Sequence, residues 1–354
     1  MHHIPFFSGA GGAVTVVAGP ARATAGCYFT GARSTGAPNL RGCHAPVMSM
    51  RVRSWHRSHT FHHSEFSPER LAAERRHTVS VCLPARDEER TIGAIVSSLT
   101  PLRDAGAIDQ IVVVDASTDD TGRIARELGA EVYDQNDLLP EVGPVLGKGD
   151  AMWRSLAVLT GDVICFLDAD SEHFGAHFAC GLLGPLLCDS GISFVKGLYR
   201  RPFRIGETTL PDGGGRVTEL TARPLLNLFY PDLAGVAQPL AGEVAARREL
   251  LESLPFVTGY GVDIALLIDA YQAVGLEGLA QVDLDVRQND HQSLRDLGPM
   301  AFAVLRALAS RLERDGRLTG PLPTAFFAPG EDELAPLGGE PVERPPVAKL
   351  RAAA

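Results

Sequence analysis

From residue 78 onward the chain alternates short apolar runs with amphipathic stretches, and this restricts the fold more than any other feature of the 354 residues. Runs at 78–83, 110–115 and 162–167 have strand length, whereas periodic segments at 88–99, 119–128 and 149–159 have helix length. Parallel strands need a crossover between them, so strand, helix, strand in repetition predicts a doubly wound, mostly parallel α/β sheet. A short strand at 130–133, a helix at 176–187 and a strand at 192–198 continue the series. Ligands of such sheets sit beyond the carboxyl ends of the strands. Three polar segments fall there, at 84–88, 115–120 and 168–170.

The second half is less regular, with helices expected at 217–229, 243–254, 262–274 and 294–312 and a strand at 280–286. The resulting division is a leader at 1–55, a regular α/β half at 56–200, a less regular half at 201–316 and a Pro/Gly/Ala-rich mobile tail at 317–354. The leader has no sustained period and no basic start to a secretory signal; it reads as disordered, or as the product of a start placed before Met48 or Met50. With 33 basic and 43 acidic residues the chain carries a formal charge of −10, which argues against nucleic-acid binding by phosphate neutralisation. Its apolar runs are far shorter than the roughly 20 residues of a membrane span. Six scattered cysteines, with Cys82 and Cys165 inside expected buried strands, suit reduced thiols and a cytoplasmic protein.

The strand at 162–167 runs into Asp168-Ala169-Asp170. Residues two apart on extended backbone point the same way, so both carboxylates can share one hard divalent cation with a diphosphate. Pro84-Ala85-Arg86-Asp87-Glu88 and Asp115 to Thr121 suit either helix capping or contacts to a base and ribose. Gly147-Lys148-Gly149 offers one positive charge where backbone can approach a ligand, or else a simple loop. Between 196 and 223, six basic residues face three acidic ones, and Gly213-Gly214-Gly215-Arg216-Val217-Thr218 leads into a helix able to hold an anion. His173 and His177 are four apart on a helix but lack a His-Glu-x-x-His frame, and His291 stands alone after the strand at 280–286.

Together with Tyr199-Arg200-Arg201-Pro202 and Gly259-Tyr260-Gly261-Val262-Asp263, these motifs resemble, in order from 78 to 312, the glucosyl-3-phosphoglycerate synthases, retaining GT-A glycosyltransferases of family 81. The resemblance implies a GT-A fold and a homodimer that joins UDP-glucose to 3-phosphoglycerate with Mg²⁺ or Mn²⁺. By resemblance, Pro84, Ala85, Arg86, Glu88, Ser117, Lys148 and Asp168 hold the nucleotide sugar, while Gly215, Arg216, Thr218 and Asn289 hold the acceptor. Asp170 and His291 would bind the metal, and Asp168, Asp170, Lys148 and Asp263 would carry catalysis. Three departures from the family pattern stand out. The 115–121 loop is one residue shorter, Asp263 replaces a glutamate, and in Arg287-Gln-Asn-Asp-His291 the third and fifth places hold Asn289 and His291 where the family has His and Asn. His291 is the expected metal ligand because imidazole is the better donor, with Asn289 as its competitor. Rival readings are a mannosyl-3-phosphoglycerate synthase using GDP-mannose, an inverting family 2 transferase with another acceptor, a nucleotidyltransferase, and a silent nucleotide-sugar-binding protein.

Overall fold

The computed structural model describes residues 50–205, 208–210, 214–287, 293–319, 326–329, 334–337 and 342–353. Its centre is an eight-stranded sheet of β1 (Thr60–His62), β2 (Val79–Ala85), β3 (Gln110–Asp115), β4 (Glu131–Asp134), β5 (Val163–Phe166), β6 (Phe194–Arg200), β7 (Val244–Arg247) and β8 (Leu279–Val286). The order across the sheet is β1-β8-β6-β7-β5-β2-β3-β4. All neighbours are parallel except β7, which runs antiparallel to both β5 and β6. The α/β, GT-A-like expectation is therefore met.

Successive residues of a strand face opposite sides, and here both sides are buried. Val81, Leu83, Ile111, Val113, Val163 and Cys165 join one core with the helices Ile92–Asp104 and His177–Cys188. Cys82, Val112, Val114, Ile164 and Phe166 join the other with Lys148–Ser155, Val262–Val274 and Leu297–Arg314. Two-sided burial is why these strands are continuous apolar runs in the sequence.

Three expectations need correction. The stretch 243–254 is not one helix, since β7 occupies its first part and the helix Arg248–Ser253 its second. Ala, Arg, Glu and Leu favour helix by propensity, but Val244, Ala245 and Ala246 are buried between two strands whose hydrogen bonds they complete. The leader ends sooner than residue 55: Met50–Ser58 is a helix in which Val52 and Trp55 are each 1% exposed, and the Trp55 indole N–H donates to the Leu279 carbonyl at 2.9 Å. Residues 342–353 are not a structureless tail either. Glu343–Arg344 pairs with Phe256–Val257, the Arg344 guanidinium grips buried Asp150 at 2.8 and 2.9 Å, and the helix Val347–Ala353 follows. The expectations for residues 1–49 lie outside the described residues.

Candidate active site

Strands β2 and β5 end side by side and, with the glycine-flanked start of the Lys148–Ser155 helix, enclose a cavity of about 570 Å³. Pro84, Ala85, Arg86, Glu88, Lys148, Asp168 and Asp170 all line it, and Gly259 and Tyr260 face them. Ser117 does not. Its hydroxyl accepts the Asp87 N–H at 2.8 Å, while Asp87, in the left-handed region at φ 57°, accepts the Thr118 N–H at 2.8 Å. These short polar side chains clasp two loops together, and Ala116 rather than Ser117 reaches the cavity.

Lys148 sits where it does because of both glycines. Gly147 has φ +106°, and a Cβ on Gly149 would lie 1.9 Å from the Val257 carbonyl oxygen. The Lys148 ammonium then meets Asp168 Oδ1 at 2.5 Å and Asp263 Oδ2 at 3.8 Å. Burial alone would raise the Asp168 carboxyl, but Lys148 and then Arg287 override it and hold it well below the usual carboxylate range. Asp263, on the first turn of Val262–Val274, goes the other way, raised by burial. Its Oδ1 has no hydrogen-bond partner among the described residues and lies 4.0 Å from the ammonium of buried Lys196, whose pKa burial lowers.

The antiparallel entry of β7 brings in what the sequence did not disclose. Because β7 starts where β5 ends, Gly242 and Glu243 fall beside Asp168, and a Cβ on Gly242 would be 2.1 Å from Asp168 Oδ2. From the end of β8, the buried Arg287 guanidinium pairs with Asp168 at 3.1 Å, with Glu243 at 3.1 Å and with Asp170, and it donates to the Tyr199 hydroxyl at 3.1 Å. Tyr199 donates in turn to Glu243 at 2.7 Å; burial and Glu243 push its phenol up to about 12, and burial raises Glu243 as well. The available signal for Arg287 was a basic residue at the carboxyl end of a parallel strand.

The acceptor residues divide. Gly215, at φ +71°, lies beside Arg201, whose carbonyl accepts the Gly214 N–H at 3.2 Å and whose guanidinium donates to Tyr199 at 2.8 Å. One polar chain thus runs from the glycine loop through Arg201 and Tyr199 to Arg287 and Asp168. Thr218 is buried at the start of a π-helical stretch, Thr218–Ala222. Arg216 lines a separate groove of about 140 Å³ with Leu294 and Leu297 and is not part of the larger cavity's lining. Asn289 and His291 lie outside the described residues, as does Gly213.

Two carboxylates at a strand end, one of them 44% exposed, form the oxygen donor set that suits Mg²⁺ or Mn²⁺. With a cavity of nucleotide size and a lysine and an arginine against those acids, the sheet and site define a glycosyltransferase of the GT-A type. The family model of Glycosyl transferase family 2 matches residues 80–179. A glucosyl-3-phosphoglycerate synthase from Mycolicibacterium smegmatis is 46% identical over 282 residues, which cover 79% of this chain and 92% of the relative. A mannosyl-3-phosphoglycerate synthase structure from Rubrobacter xylanophilus matches with TM-score 0.78 and 45% identity, covering 84% of this chain and 98% of that one. The Mycobacterium tuberculosis glucosyl-3-phosphoglycerate synthase, solved with Mn²⁺, UDP-glucose and phosphoglyceric acid, matches with TM-score 0.74 and 42% identity over 83% of this chain and 99% of that one. The chain belongs to the glucosyl-3-phosphoglycerate synthase family.

Proposed function

We propose that the protein transfers glucose from UDP-glucose to the 2-hydroxyl of 3-phosphoglycerate, with retention, as a cytoplasmic homodimer. The observation that carries this reading is the joint lining of one cavity by Pro84, Ala85, Arg86, Glu88, Lys148, Asp168 and Asp170 in a chain 46% identical to a glucosyl-3-phosphoglycerate synthase. No helix among the described residues is long and apolar enough to cross a membrane. A small, charged acceptor suits that setting.

Asp170 would hold a Mg²⁺ or Mn²⁺ ion, with His291 as its expected partner ligand and Asn289 as the competitor. Such an ion supplies positive charge against the diphosphate leaving group. Lys148 adds fixed positive charge on the same side, in a water-poor pocket where it counts for more than in bulk. Asp263 would contact the sugar from beside Lys148, 3.8 Å away, and Gly215 and Thr218 would receive the acceptor, with Arg216 reaching it from the neighbouring groove. In the transfer, the bond from the anomeric carbon to the diphosphate oxygen breaks, a bond to the acceptor 2-hydroxyl oxygen forms, and the hydroxyl proton passes to the diphosphate. Attack comes from the leaving-group face. The acids that could serve as covalent nucleophiles are poorly suited to it: Glu243 is buried against Arg287 and Tyr199, and Asp263 is buried with a raised pKa.

The second reading keeps the acceptor and changes the donor to GDP-mannose. It is favoured by the 45% identity to the Rubrobacter mannosyl enzyme and by the shorter acid at Asp263. Purified protein supplied with 3-phosphoglycerate and UDP-glucose, GDP-glucose or GDP-mannose, with and without Mg²⁺, separates the two. The glucosyl product with the donor's anomeric configuration is expected, and fastest turnover with GDP-mannose would overturn the donor assignment.

A further inference from the structure

At the far edge of the sheet, away from β5, strand β1 lies parallel to β8 with His62 opposite Asp283. Just past that pair the register of β8 shifts, and Asp285 takes φ +68°, an unusual conformation for a residue other than glycine. The turn brings the Asp285 carboxylate to two histidines leaving β1. His63 Nε2 is 2.7 Å from Oδ2 and His62 Nε2 is 3.6 Å from Oδ1. One ligand atom from each of the three residues lies within 4.8 Å of the others. The remaining nitrogen of His62, Nδ1, accepts the Ser64 N–H at 3.2 Å and lies 2.7 Å from Ser64 Oγ, which fixes the plane of the ring. A third imidazole, His177, packs on His63 with ring centroids 4.6 Å apart.

The geometry points to a binding site for a divalent transition ion of the zinc class, ligated by His62 Nε2, His63 Nε2 and one Asp285 oxygen. Two imidazoles and a carboxylate are a donor set for zinc rather than magnesium. Around a tetrahedral ion with bonds of about 2.0–2.1 Å, ligand atoms stand about 3.3 Å apart. The observed 2.7 and 3.6 Å run to the two different oxygens of Asp285, and one donor atom from each residue lies within 4.8 Å of the others, so side-chain rotations are what bring the three donors to that spacing. Ligation through Nε2 puts the His62 proton on Nδ1, where Ser64 Oγ, 2.7 Å away, is placed to accept it in exchange for the Ser64 N–H contact. The ion would fasten the edge strand to the bulge of β8. Asp285 is two residues before Arg287, so it would also fix the backbone that delivers Arg287 to Asp168 and Asp170. This site is independent of the choice of donor sugar.

The test uses full-length, tag-free protein, stripped with chelator, then dialysed against Zn²⁺ or Co²⁺ in excess Mg²⁺ so that the oxygen-rich site is occupied by the hard ion. Metal content, Co²⁺ visible absorption and thermal midpoint are read for the wild type, His63→Ala, Asp285→Asn and Asp170→Ala. Asparagine tolerates the left-handed backbone of Asp285, so that variant keeps its fold and loses only ligand charge. The wild type and Asp170→Ala are expected to retain one Zn²⁺, show a four-coordinate Co²⁺ spectrum and gain thermal stability. Outer-shell partners alone are worth about 10–100-fold in metal affinity, so losing a ligand atom should weaken Zn²⁺ by more than about 100-fold in the other two variants. Zn²⁺ retention unchanged in His63→Ala and Asp285→Asn, or no retention by the wild type, would overturn the site and leave a hydrogen-bonded His63–Asp285 pair.

Discussion

Asp168 is held ionised in a place where burial would otherwise protonate it, and that opposition has a measurable signature. Its pKa is depressed in the folded protein, whereas the unfolded chain takes up the proton near pH 4. Between those two values the unfolded state binds more protons, so stability is present above about pH 4 and drains away as pH falls toward the folded value. In urea titrations across that window, Asp168→Asn should show a flatter acid limb than the wild type; identical slopes would mean the Lys148 and Arg287 pairs do not act on Asp168 as described. Asp168 and Asp170 were legible in the sequence because extended backbone puts alternate residues on one side, so spacing alone encodes a shared site. Arg287 and Glu243 were not. Each reaches Asp168 through a strand distant in the chain, and nothing local marks a residue whose role depends on which strand its own lies beside. Ser117 is ambiguous for a related reason, since a short hydroxyl in a strand-end loop serves a backbone N–H, here that of Asp87, as readily as a ribose.

Strands with both faces buried announced themselves, which is why β2, β3 and β5 were found close to their observed bounds. Strand β7 did not, because its Ala-Ala-Arg composition carries no strand preference and its conformation is imposed by β5 and β6 on either side. The helix Met50–Ser58 was hidden by its polar sequence, where two buried residues, Val52 and Trp55, hold the segment to the sheet edge. Replacing a buried Trp by Ala removes its transfer energy and leaves a cavity, together about 3–5 kcal/mol. Trp55→Ala should therefore lower the urea midpoint by an equivalent amount without changing its slope, and a loss below about 1 kcal/mol would show that the segment is not docked as described.

Across the whole molecule, the two ends of the described chain both return to support the sheet, and the C-terminal return reaches the site. Arg344 pairs with Asp150, which is fully buried, accepts the Leu146 N–H at 2.9 Å and lies two residues after Lys148 on the same helix. The Trp153 indole N–H of that helix donates to the Pro345 carbonyl at 2.8 Å. Arg344→Ala strands a buried carboxylate and should cost about 3 kcal/mol, at the low end for a broken buried pair because Arg154 still lies 3.4 Å away. It should also raise KM for the donor, since Leu146 and Lys148 line the cavity; unchanged stability together with unchanged KM would separate this segment from the site. The central claim is that the crevice beyond β2 and β5 is where a metal-held sugar donor reacts. It is tested most directly by turnover of UDP-glucose and 3-phosphoglycerate in Mg²⁺ by Asp170→Ala beside the wild type. Loss of activity by at least about 10³-fold with an intact fold is predicted, and wild-type turnover by the variant would contradict the account.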